Sequence, residues 1–191
     1  GTDVFAMDTG NSSSTIPTYD SNFPVDFVLR RQPATSSNWL AVSRLNQPNY
    51  LMTNATNAES SGSSSNADRV FDSNVGYGAN DDNTHQAWMW KRHAGFDVVT
   101  YQGTVAATDH PHSLGKIPEM YWIKKRNAAA PWRVYHKGVN GGSNPEEWYM
   151  ELNTAAPQSQ ADSPWFAPTS THIRLKSNGN VQWDNTFIAM L

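Results

Sequence analysis

Apolar residues along this chain come in short runs broken by Gly, Pro, Asn and Ser, with Thr, Val, Trp and Tyr frequent inside the runs. This is the pattern of half-buried strands separated by turns, and no segment carries a sustained stripe at helical spacing. It predicts strands over 3–7, 26–31, 39–44, 50–54, 86–90, 97–102, 119–125, 132–137, 147–153, 172–176 and 186–191. Many short strands, frequent turn signals and no helices predict an all-β fold of antiparallel, jelly-roll-like sandwiches.

The runs also repeat. Asp3-Val4-Phe5 aligns with Asp97-Val98-Val99, and in the same register of 94 positions Pro24 falls on Pro118 and Phe27-Val28-Leu29-Arg30-Arg31 on Tyr121-Trp122-Ile123-Lys124-Lys125. Trp39 then matches Trp132 one residue out of step, Tyr50 and Asn54 match Tyr149 and Asn153, and Phe71 matches Phe166. Asp82-Asn83-Thr84 followed by Ala87 corresponds to Asp184-Asn185-Thr186 followed by Ala189. An ordered series of this kind predicts two tandem β-sandwich modules, 1–94 and 95–191, the second an internal duplicate of the first. Variation collects in the polar stretches 57–66, 76–83 and 140–145, where specificity is expected to lie because such loops bury little.

Composition narrows the function classes. The 191 residues are 38% hydrophobic and include eight Trp, seven Tyr and seven Phe, enough bulk to fill a real core and to exclude a wholly disordered chain. With 14 Lys and Arg against 17 Asp and Glu, a net charge of −3, there is no basic footprint for nucleic-acid phosphates. No apolar run is long enough for a spanning helix and the first residues lack a signal-like flank, so no membrane insertion is expected. The absence of Cys excludes disulfides, thiolate metal sites and cysteine nucleophiles. The start without Met and the strand-like end, Phe187 to Leu191, mark the chain as a candidate fragment of a longer protein.

Few residues suggest chemistry. Asp109-His110-Pro111-His112 places two imidazoles two apart on an extended path, which makes His110 and His112 weak candidates for a transition metal. Asp81 and Asp82 are weak candidates for Ca²⁺, without the Gly and distal Glu of an EF-hand loop. The more economical reading of Asp82-Asn83-Thr84 and Asp184-Asn185-Thr186 is an Asx turn before a strand, and of His112-Ser113-Leu114-Gly115 a turn in which Gly115 takes positive φ. Glu146, Glu147 and Glu151 are the only close carboxylates with aromatic neighbours, but on a strand Glu147, Tyr149 and Glu151 share one face, read as solvent-facing. No hydrolase, metalloprotease or phosphate-loop motif is present, so no catalysis and no cofactor are expected. Among the aromatics, most of Trp39, Trp88, Trp132 and Trp165 are assigned to cores. Tyr77, Trp148 and Trp183 are left as exposed candidates for binding a ligand, sugar rings above all.

The segments Gly95-Phe96-Asp97-Val98-Val99-Thr100-Tyr101-Gln102-Gly103, His112-Ser113-Leu114-Gly115-Lys116-Ile117-Pro118-Glu119-Met120 and Trp132-Arg133-Val134-Tyr135-His136 resemble a repeated module of tail and fibre proteins of marine bacteriophages, cyanophages in particular. Leu152-Asn153, Ala167-Pro168-Thr169-Ser170 and Phe187 to Leu191 follow in that module's order. In the first half Thr18, Asp20 and Ser21 stand where His112, Leu114 and Gly115 stand, and Ser43 replaces His136. The resemblance implies a virion structural protein in the phage tail or on its surface, with other virion proteins as partners. It also implies a homo-oligomer, a trimer being favoured, and a host-surface glycan as the possible target. It brings no catalytic residues. The alternatives are a carbohydrate-binding module of a secreted polysaccharide-active enzyme and a purely architectural spacer or capsid decoration.

Overall fold

A computed structural model describes residues 4–61, 69–92 and 95–191, and over these the chain is all-β, built of antiparallel sheets and short 3-10 turns. Among the described residues no helix is long and apolar enough to cross a membrane. The chain divides into two compact units, Gly1–Thr53 with Glu59–Phe96, and Asn54–Ala58 with Asp97–Leu191.

The first unit contains β1 (Phe5–Thr9), β2 (Tyr19–Asp20), β3 (Phe27–Arg31), β4 (Leu40–Ser43), β5 (Leu51–Met52), β6 (Gly76–Tyr77) and β7 (Gln86–Trp90). These form a five-stranded sheet in the order β1-β7-β3-β4-β5 and a small sheet of β2 and β6. Alternate residues of the large sheet, Val28, Val42, Ala87 and Met89, pack against Tyr19 and Tyr77 of the small one, with Phe23, Val25 and Phe71 closing the core. The period of two along each strand sends these side chains inward and their neighbours to the opposite face.

The second unit contains β8 (Val98–Gln102), β9 (Thr108–Pro111), β10 (Met120–Lys125), β11 (Arg133–His136), β12 (Met150–Glu151), β13 (Trp165–Phe166), β14 (His172–Leu175) and β15 (Thr186–Met190). Its large sheet runs β8-β15-β10-β11-β12, and β9, β14 and β13 form the smaller one. Tyr121, Ile123, Tyr135, Phe187 and Ala189 face Trp165, Ile173, Leu175 and Val181 across the core. Tyr121 stacks on Tyr135 at 4.7 Å and meets Trp165 edge-on at 5.2 Å, an aromatic arrangement that adds to simple area burial. Pro111 sits in β9, the edge strand, where a missing N–H does not break a ladder.

The order of strand roles is the same in both large sheets, but the expected register of 94 is off by one across β3 and β10. Val28 pairs with Val42 and points into its core, and Tyr121 pairs with Tyr135 and points into its own, so the structurally matching positions lie 93 apart, as Trp39 and Trp132 do. A slip of one residue exchanges the two faces of a strand. The cations Arg30 and Lys124 are consequently not equivalent: Arg30 lies on the core face, whereas Lys124 lies on the opposite face, buried, with its Nζ donating to Thr56 O at 3.2 Å and Lys125 O at 2.9 Å. Burial pulls the Lys124 pKa down to about 8. Thr56 O also accepts from the Ala130 amide at 2.9 Å, which ties the segment Asn54–Ala58 into the second unit.

The turn that follows β9 is held by one carboxylate. Asp97, fully buried, accepts from the Ser113 amide at 2.7 Å and the Ser113 hydroxyl at 2.8 Å, and its other oxygen accepts from the Val98 amide at 2.8 Å. The Asp97 backbone pairs in both directions with Leu191, so turn, first strand and last strand meet at one residue. Gly115 takes φ +67 in this turn.

Two expectations change. The strand expected over 147–153 is reduced to β12, because Pro145–Glu147 winds into a 3-10 turn. Glu151 then faces Arg133, whose Nη1 lies 2.5 Å away and whose guanidinium stands over the Tyr149 ring at 4.1 Å, rather than solvent. The stretch 76–83 is not a free loop, since it holds β6 and the buried residues Tyr77, Ala79 and Asp81. Of the other stretches expected to vary, 140–145 is largely exposed, while 57–66 falls partly outside the described residues.

Candidate functional site

The residues weighed for metals have other partners. Asp81 is buried in the first core, paired with Arg30 and accepting from the Tyr19 hydroxyl at 2.7 Å. Asp82 forms the expected Asx turn, its Oδ1 accepting from the Thr84 hydroxyl at 2.6 Å and amide at 2.9 Å, and these bonds hold its carboxyl down at about 2. In the second unit the matching Thr186 amide is capped by Asn127 instead. His112 is a turn residue: its Nδ1 accepts from the Leu114 amide at 3.3 Å and its Nε2 lies 3.2 Å from Thr169 O. His110 points elsewhere, stacked on Tyr101 with ring centroids 3.9 Å apart. Among the described residues no group of three or more His, Asp or Glu is placed to hold a metal ion.

Gln182 sets the surroundings of the His110 ring. Gln182, fully buried, accepts from the Thr104 amide through Oε1 at 3.2 Å, which leaves Nε2 as the donor to Thr108 O at 3.3 Å and to His110 Nε2 at 3.1 Å. An accepting His110 Nε2 fits a neutral ring with its proton on Nδ1. Burial lowers its pKa below the usual 6.5. The unfolded chain therefore binds more protons in this window, and stability rises with pH there. We expect the thermal midpoint to fall as pH drops below about 6.5, levelling once the folded-state value is passed. His110→Gln should flatten the slope between pH 6.5 and 5, and equal slopes in both proteins would refute the assignment.

The three aromatic candidates separate. Tyr77 is fully buried, stacked near Tyr19 at 6.1 Å and against Phe71 at 4.8 Å, so it is a core residue and not a ligand platform. Trp148 is half-buried and its carbonyl accepts from the Trp165 indole N–H at 2.8 Å. Only Trp183 is broadly exposed, at 50%.

An aromatic surface that includes Trp39 and Trp88, two of the Trp residues considered for the cores, lies on the outward face of the first large sheet. Phe5 and Met7 are 37% and 57% exposed, and Trp39, Trp88 and Trp90 are half-buried beside them. Trp90 contacts Phe5 at 5.0 Å and Phe27 at 5.5 Å, Trp39 contacts Trp88 at 4.9 Å, and the Arg31 guanidinium stands over Trp39 at 5.0 Å. Trp88 and Trp39 thus leave the core assignment, whereas Trp165 keeps it and Trp132, fully buried, lies outside that core cluster. The indole N–H of Trp88 has no hydrogen-bond partner among the described residues.

Trp183 stands on a fixed loop. The preceding Val181 is buried and its carbonyl accepts from the Tyr101 hydroxyl at 2.7 Å, and Gln182 is anchored as described above. Trp183 N–H donates to Thr104 O at 2.7 Å, and its carbonyl accepts from the Asn185 amide at 2.7 Å. Gly103 lets this loop press onto β8, since a Cβ there would stand 2.3 Å from Trp183 O. The indole edge is fixed by Nε1–H to Ser177 Oγ at 3.3 Å. Trp183 adopts φ +64, a left-handed conformation that costs an L-residue roughly 1–2 kcal/mol.

No curated protein and no solved structure matches the chain. A family model described as a domain of unknown function, DUF7483, matches residues 4–191 and so runs through both units, and the chain belongs to that family.

Proposed function

We propose that the protein is a structural component of a phage virion, a tail-fibre or other host-facing segment that acts by adhesion rather than catalysis. The observation that carries adhesion is the pair of half-exposed aromatic surfaces, the outward face with Phe5, Met7, Trp88 and Trp90 and the loop with Trp183, held on rigid antiparallel sheets. Large rings left partly in water on a pre-organised scaffold suit contacts to sugar rings or to neighbouring proteins. The ordered resemblance of residues 95–191 to phage tail and fibre modules supports a place in the virion. Glu151 engages Arg133 and Glu147 accepts from Gln160, so neither carboxylate favours a hydrolase.

Assembly as a homo-oligomer, most simply a trimer, fits the fibre reading, and repetition would raise the effective strength of weak single sites. An antibody against the purified chain should label intact phage particles at the tail or surface in electron micrographs and slow adsorption to host cells. Particles that lack the protein by mass spectrometry would overturn this reading.

A further inference from the structure

Comparison with Asn80 of the first unit shows what is unusual about Trp183. Asn80 sits at φ +63 in the loop before β7, and its N–H donates to Ser13 O at 2.7 Å. Trp183 sits at φ +64 in the loop before β15, and its N–H donates to Thr104 O at the same distance. Ser13 follows β1 and Thr104 follows β8, so in each unit a left-handed residue donates its N–H to the chain that leaves the first strand. Asn is the residue that meets this demand most easily after Gly, because its short polar side chain tolerates the conformation. The second unit uses a bulky aromatic instead.

Packing does not account for that choice. Trp183 is not part of the second core cluster and half of its surface is in water. Its six-membered ring rests on Gly179, where a Cβ would meet Cε3 and Cζ3 at 2.9 Å, so one side is supported by backbone. A strained residue held by its surroundings, with a large ring supported on one side and half-exposed, is the signature of a site kept for contact with something else.

We propose that Trp183 is a stacking platform for a pyranose ring of a neutral glycan, a site carried by the second unit. The indole offers an apolar surface to the C–H face of a sugar, and the anchored loop leaves little to order on binding. Asp184, exposed and next in the chain, supplies a carboxylate that accepts from sugar hydroxyls and repels acidic sugars. This deepens the adhesion reading and rests on it for its biological setting.

The test is affinity electrophoresis of the full chain in gels containing dextran, laminarin, mannan or galactan, with alginate and hyaluronate as acidic comparisons. At least one neutral polysaccharide should retard the protein, and Trp183→Asn, which removes the ring but tolerates the left-handed backbone, should weaken retardation about tenfold. Gly179→Ala, which displaces the ring without removing it, should weaken it too. The thermal midpoint of Trp183→Asn should equal or exceed that of the parent. Retardation by none of the neutral polymers, or only by the acidic ones, overturns the site. So does retardation unchanged in Trp183→Asn, or a midpoint lowered by more than about 5 °C, which would make the indole structural. Particles that contain the protein while no neutral polymer binds would remove this site and leave the virion reading standing. Trp183-dependent binding by a protein missing from particles would do the reverse.

Discussion

Replacing Asp81 by Ala should destabilise the first unit by about 3–5 kcal/mol, because it leaves the Arg30 guanidinium charged and buried without its carboxylate. The Tyr19 hydroxyl loses its acceptor in the same step. Replacing the group as a whole, with Arg30→Met, Tyr19→Phe and Asp81→Ala together, should recover most of that loss, since the cost of a half-broken pair exceeds the worth of an intact one. Urea unfolding of the single and triple variants checks this, at constant m. A triple variant as unstable as the sum of its single changes would show that the three side chains act independently.

Asp97→Ala is expected to cost the second unit about 3–5 kcal/mol, from three hydrogen bonds to one buried carboxylate that are lost together. Ser113→Ala, which removes only the hydroxyl donor, should cost about 1 kcal/mol. The two values come from the same unfolding titration, and an Asp97→Ala variant within 1 kcal/mol of the parent would mean that the turn is held by the backbone alone. The contrast matters for the motif: the aspartate of the Gly-Phe-Asp segment and the serine of the His-Ser-Leu-Gly segment form one device, separated in sequence and joined in space.

The sequence carried the fold class well, because alternation of apolar and polar residues is a direct record of a two-faced strand. It carried less where an element was too short to alternate. β2, β6 and β13 are two residues each, and Tyr77, embedded among Gly, Asn and Asp, looked like a loop aromatic when it closes the first core. β9 was hidden by its Pro. The one-residue error in register between β3 and β10 arose because two apolar triplets followed by two cations match in either phase, and only the pairing with β4 and β11 decides which phase faces inward. Trp88 and Trp90 were legible as sharing one face, but not which face, since that depends on Ala87 and Met89 filling the core between them. The exposure of Trp183 was legible as a possibility; its left-handed backbone was not, because no residue pattern marks a Trp for that conformation.

The hook formed by Thr56 reaches beyond stability. Its carbonyl satisfies both the Ala130 amide and the Lys124 ammonium, yet Thr56 lies on the far side of the sequence from the junction near residues 93–95. A genetic crossover at that junction would transplant the second half without its hook, so that the Ala130 amide loses this acceptor and the buried Lys124 ammonium loses one of its two carbonyls. An exchange that keeps the hook with the second unit would need its breakpoints outside the pair.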